Sequence, residues 1–84
     1  MFYVYILYSK ELNRYYIGQT ENLDERIFRH TNSGSKSTKA ANDWELKHQE
    51  AFNTRSEAVR RETEIKKKKS RKYIEWLISS VQVV

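Results

Sequence analysis

Aromatic and β-branched residues crowd the start of the chain. Phe2 to Tyr8, FYVYILY, predicts a strand. Period-two alternation puts Phe2, Val4 and Ile6 on one face and Tyr3, Tyr5 and Leu7 on the other. Tyr15 to Thr20 predicts a second strand, and the short polar SKELNR between the two predicts an antiparallel hairpin. That second strand contains Gly18. A glycine weakens a strand unless a bulge or a close approach requires it. The period then lengthens. Leu23, Arg26, Ile27 and His30 share one face of a helix predicted over Asn22 to Asn32. Asn22 and Glu25 form a capping-box-like pair, and Gly34 stands where a C-cap glycine would. NSGSKSTKAAND, from Asn32 to Asp43, is small and polar and reads as one loop. Trp44, Leu46, His48, Glu50 and Phe52 alternate in a third predicted strand, Trp44 to Phe52. Thr54 and Glu57 make a capping box for a helix that runs to about Lys69. Ser70 caps a last helix whose Ile74, Leu77, Ile78 and Val81 share a face. The order β-β-α-β-α-α predicts an α+β domain, a small antiparallel sheet of three strands flanked by helices.

The length of 84 residues suits one compact domain, taken as residues 1–84. The absence of cysteine removes disulfides, zinc ribbons and a cysteine nucleophile from consideration. The apolar run at the N-terminus is too short to span a bilayer and lacks a basic leader, which predicts a soluble, cytoplasmic protein. Net charge is +5, and its distribution says more than its total. Between Arg55 and Lys72 lie nine Lys or Arg against three Glu, so one patch holds more than the whole net charge. Such a patch suits a polyanion, most simply nucleic acid, and equally a solvated helix face.

Three polar residues stand where apolar ones are expected. On the helix from Thr54, Glu62 falls about 40° from Ala58, inside the helix's apolar arc. An inward carboxylate needs a partner cation, either a basic side chain or a metal. Arg26 and His30, four apart, share the face that Leu23 and Ile27 turn toward the sheet. An Arg, a His and a Glu beside a tyrosine-rich hairpin could support phosphodiester cleavage. A divalent cation on Glu62 would polarise the phosphate. Arg26 would neutralise charge developing in the transition state. The base is either a tyrosine, if cations lower its pKa from about 10, or His30, whose ordinary pKa near 6.5 needs less tuning.

These residues resemble the GIY-YIG nuclease superfamily. Tyr3-Val4-Tyr5 stands for the first motif, with Tyr3 in place of its glycine, and Tyr16-Ile17-Gly18 matches the second in full. Arg26 follows Gly18 at the family's spacing, and Glu62 in AVRRE stands at the metal-binding glutamate. Gly34, Lys36 and Thr38 supply a G-x-K-x-T loop, and Lys66 to Lys69 a lysine run, as in the stand-alone single-domain branch. The resemblance spans roughly residues 2 to 78. It implies a DNA endonuclease, structure- or end-directed with little sequence specificity, using one Mg²⁺ or Mn²⁺ per site. It implies catalytic roles for Tyr5, Tyr16, Arg26, His30 and Glu62, with Glu62 as metal ligand. Gln19, Lys36, Thr38, Lys39, Lys66, Lys67, Lys68 and Lys69 would contact the nucleic acid, DNA first and RNA as the alternative. No membrane and no small-molecule cofactor are implied. The nuclease domain of the excision-repair nuclease C subunit is similar but carries a lysine where Gln19 stands, and an asparagine near its end where this chain reads YIEWLIS. The departures shift the base role toward His30 and keep two other readings open: a nucleic-acid-binding module on the same fold, and a basic helix that docks an acidic protein.

Overall fold

The computed structural model describes residues 1–32 and 43–81, the side chains of residues 29–32 and 81 excepted. Its elements run β1 (Phe2–Ser9), β2 (Arg14–Thr20), α1 (Leu23–Asn32), β3 (Glu45–Phe52), α2 (Arg55–Lys68) and α3 (Arg71–Val81). The strands form one antiparallel sheet in the order β2-β1-β3, so the α+β expectation holds.

Burial explains why β1 takes the centre. Val4, Tyr5, Ile6 and Leu7 are all fully buried, so both faces of this strand are covered. Val4 and Ile6 pack with Ala58 and Ile65 of α2 and Leu77 of α3. Tyr5 and Leu7 pack on the other face with Trp44, against Tyr16, Leu23 and Ile27. Each fully buried Ile or Leu contributes about 1.5–3 kcal/mol through area removed from water.

The helix starts follow from local chemistry. Asn22 Oδ1 accepts from Glu25 N at 3.1 Å, and Asn22 Nδ2 donates back to Glu25 Oε2 at 3.4 Å. Thr54 Oγ1 accepts from Glu57 N at 3.3 Å and donates to Glu57 Oε1 at 2.9 Å. Ser70 Oγ accepts from Tyr73 N at 3.2 Å and so opens α3. Each cap satisfies a backbone donor that the helix start would leave orphaned, a gain of about 1 kcal/mol. Gly34, expected to close α1, lies outside the described residues.

The third strand departs from its expected alternation. Ile6 pairs with His48, but Leu7 pairs with Leu46, leaving Lys47 as an extra residue. This bulge moves the strand's start to the opposite face. His48, Glu50 and Phe52 lie with Ile6, Val4 and Phe2, whereas Trp44 joins Tyr5 and Leu7. Bulky Trp44 is thereby buried beneath the tyrosine face.

Candidate functional site

The site forms around the edge strand β2. Tyr5 pairs with Gly18, and its ring lies across that glycine. A Cβ built on Gly18 would stand 2.5 Å from the Tyr5 hydroxyl and 2.7 Å from its Cζ. The close approach that Gly18 permits is therefore that of Tyr5 itself. Tyr16 stacks on Tyr5 with ring centroids 6.2 Å apart and planes 27° from parallel. Trp44 and Tyr16 meet edge to face, with ring centroids 6.4 Å apart. Tyr15, the other tyrosine of the pair, points to the opposite face and packs on Tyr8 at 4.8 Å.

Two helices bring charge to this edge from opposite sides of the sheet. Arg26 is half-buried in α1, its N–H bonded to Asn22 O at 3.1 Å. It lines a groove with Thr20, Asn22 and Arg55. Glu62 sits one turn from Ala58 in α2, with its side chain 20 % exposed. Burial pushes the Tyr5 pKa well above its ordinary value of 10.0, Tyr16 and Glu62 push it further, and Arg26 only partly opposes them. Among the described residues, burial and not Arg26 therefore sets the direction at Tyr5.

Glu62 has its partner cation. Lys66 Nζ lies 2.7 Å from Glu62 Oε2, one turn along α2. Among the described residues no three His, Cys, Asp or Glu side chains cluster into a metal cage. A lone half-buried carboxylate still fits a Mg²⁺-type ion, which keeps several waters and takes other ligands from substrate phosphates. Lys66 must yield its place for that.

The remaining sequence candidates divide. His30 lies in α1 one turn after Arg26, but its side chain is outside the described residues, as are Lys36, Thr38 and Lys39. Gln19 pairs with Val4, so it faces away from Tyr5 and Tyr16; its Oε1 is buried with no hydrogen-bond partner. The lysine run splits. Lys66 turns to Glu62, Lys67 is exposed, Lys68 lies 5.4 Å over the Tyr73 ring, and Lys69 ends α2 in a left-handed conformation, φ 49°.

One polar network escaped the sequence pattern. Arg61 Nε donates to Glu50 Oε1 at 2.9 Å and its NH2 to Glu50 Oε2 at 3.1 Å. His48 Nε2 donates to the same Oε2 at 2.7 Å. Arg61 also reaches Glu64 at 2.9 Å and Tyr73 Oη at 3.3 Å. Glu50 thus clamps α2 to β3 and fixes the helix that carries Glu62. An alternating Glu in a strand and an Arg beside Glu62 were the available signals, but pairing across 11 residues cannot be read from period alone.

Comparison with known proteins follows the same lines. The family described as the GIY-YIG catalytic domain matches residues 1–74. The chain is 42% identical over 65 residues to a UPF0213 protein of Staphylococcus saprophyticus, covering 76% of this chain and 78% of that one. Similarity extends to Halobacterium salinarum, whose UPF0213 protein is 36% identical over 67 residues, 79% of this chain and 86% of that one. A UPF0213 protein from Bacillus halodurans, solved by solution NMR, superposes with TM-score 0.58 at 38% identity, covering 94% of this chain and 84% of that one.

Proposed function

Since the chain belongs to the GIY-YIG catalytic-domain family, alongside UPF0213 proteins, we propose that it is a divalent-metal-dependent phosphodiester hydrolase acting on DNA. The observation that carries this reading is the Tyr5–Tyr16 stack, ring centroids 6.2 Å apart, packed across Gly18, with Arg26 lining a groove on α1 and the part-buried carboxylate of Glu62 on α2. A Mg²⁺ or Mn²⁺ ion held by Glu62 would polarise the scissile phosphate and take up charge on the leaving oxygen. Arg26 binds the same phosphate and offsets the charge that develops on it. Tyr5, kept neutral by burial, serves as a hydrogen-bonding group that positions phosphate or water, and Tyr16 orders the Tyr5 ring by stacking. The base role falls to His30, one turn from Arg26. Its imidazole takes a proton from water as the water oxygen bonds to phosphorus and the bond to the leaving oxygen breaks. The lysines of α2 and of the 33–42 segment add sequence-independent backbone contacts.

Cleavage of nicked, branched and linear DNA with Mg²⁺ or Mn²⁺ tests the proposal. Glu62→Ala and Arg26→Ala should each lose about 10²-fold or more in rate. Rate in wild type should rise with pH as the base loses its proton, and His30→Ala should flatten that rise. A wild type no faster than Glu62→Ala on every substrate overturns the reading. The ion pair that holds the Glu62 carboxylate favours one alternative, a nucleic-acid-binding module without turnover. It predicts salt-sensitive binding and no cleavage at any metal concentration.

A further inference from the structure

A groove of about 500 Å³ runs between the β2 edge and the α2–α3 junction, adjoining Glu62 through Lys66. Its floor is apolar, formed by Ile17, Ile65 and Ile74. Arg14, Lys66, Lys69 and Arg71 line its rim. Lys66 is paired with Glu62 and Arg71 with Glu75, so the rim sets more cations than carboxylates around an apolar floor, which suits an anion with a non-polar body.

The rim is held in place. Arg71 donates through NH1 to Asn13 O at 3.1 Å and through NH2 to Asn13 Oδ1 at 2.6 Å, and stacks 5.2 Å from the Tyr15 ring centroid. Its Nε donates to Glu75 at 3.1 Å. This pins the guanidinium at the hairpin while leaving N–H groups over for a ligand. Lys69 occupies the left-handed C-cap where glycine is the favoured residue. A lysine there adds a cation to the rim at a conformational cost.

We propose that this groove binds an unpaired nucleotide of the substrate strand next to the phosphate at Glu62. Arg14, Lys69 and Arg71 would take its backbone phosphate, and the isoleucine floor its base or sugar. The inference rests on the nuclease reading above and adds the strand's course. Sequence-independent grip on a duplex runs through its phosphates, whereas a cationic rim around an apolar bed also receives the exposed base of an unpaired strand. Glu75, the carboxylate beside the rim, is neutralised by Arg71.

Binding of a fluorescein-labelled single-stranded DNA 20-mer, followed by anisotropy in chelator at several salt concentrations, tests the groove without any cleavage. Each phosphate contact removed should lower the log–log salt slope by about 0.7, so Arg14→Ala with Lys69→Gly should lower it by about 1.4. Lys69→Gly suits the left-handed cap, so its thermal midpoint should stand at or above that of wild type and a folding defect cannot mimic the loss. Lys72→Ala, outside the groove, should leave the slope within half of one contact. Unchanged affinity and slope in the double variant, or an equal fall for Lys72→Ala, overturns the proposal. A lowered slope with no cleavage by wild type sinks the nuclease reading alone. Cleavage with an unchanged slope sinks the groove alone.

Discussion

Gly18 is intelligible only with Tyr5 in view. The glycine lies in extended backbone within β2, so space, and not φ, is what the position demands. Tyr5 crosses it, and its hydroxyl is thereby carried over the edge strand β2. From sequence the glycine could be flagged but not explained, because a missing side chain does not say what fills its place. Gly18→Ala must push the Tyr5 ring aside or bend β2, an overpacking cost of about 1–3 kcal/mol. At this chain length that lowers the thermal midpoint by roughly 4–8 °C per kcal/mol, readable by circular dichroism. Tyr5→Phe removes the 2.5 Å contact but leaves Cζ at 2.7 Å, so it should restore the alanine variant only in part. A Gly18→Ala midpoint equal to that of wild type would mean that Tyr5 is not fixed here.

Elements were legible wherever one local rule decided them. Asn22, Thr54 and Ser70 each cap the helix that their spacing announces, and β1 alternates as written because both its faces are covered. The β3 bulge was not legible, because an extra residue at Lys47 answers to the partner strand and not to its own neighbours. The Glu50–Arg61 clamp is non-local for the same reason. Burial alone would raise the Glu50 pKa, but hydrogen bonds from Arg61 and His48 outweigh it and hold the carboxyl below its ordinary 4.5. A depressed carboxylate pKa stabilises the fold at pH values above the unfolded value, and that share is lost as pH falls through the folded one. Wild type should therefore lose stability below about pH 4.5 more steeply than Glu50→Gln. At pH 7 Glu50→Gln should be the weaker protein by about 1.5–3 kcal/mol, since Arg61 and His48 lose a charged partner. Urea unfolding at pH 7, 5 and 3 measures both; parallel stability curves would show that Glu50 does not clamp α2.

Across the whole molecule, the sheet order decides what the site can be. With β1 central, β2 presents an open edge to which α1 contributes Arg26 from one face and α2 contributes Glu62 from the other. Helical period placed Glu62 inward, where it proves 20 % exposed, but a period cannot say which residues of other elements it approaches. The unequal charge along the chain was plain in composition. How it divides was not: part stacks on Tyr73, part pairs with Glu62 and part lines a groove, according to where α2 ends. The pairing of Lys66 with Glu62 would make metal binding there an exchange of cations on one carboxylate. If Mn²⁺ binds the folded chain at Glu62, it must also stabilise it, by about 1.4 kcal/mol at ten times its Kd. Thermal midpoints titrated with Mn²⁺ should rise by several degrees in wild type, stay flat in Glu62→Ala, and rise at lower Mn²⁺ in Lys66→Met, where the competing ammonium is gone. Equal rises in wild type and Glu62→Ala would place the ion elsewhere, and the carboxylate would then be no more than half of an ion pair that fastens one turn of α2.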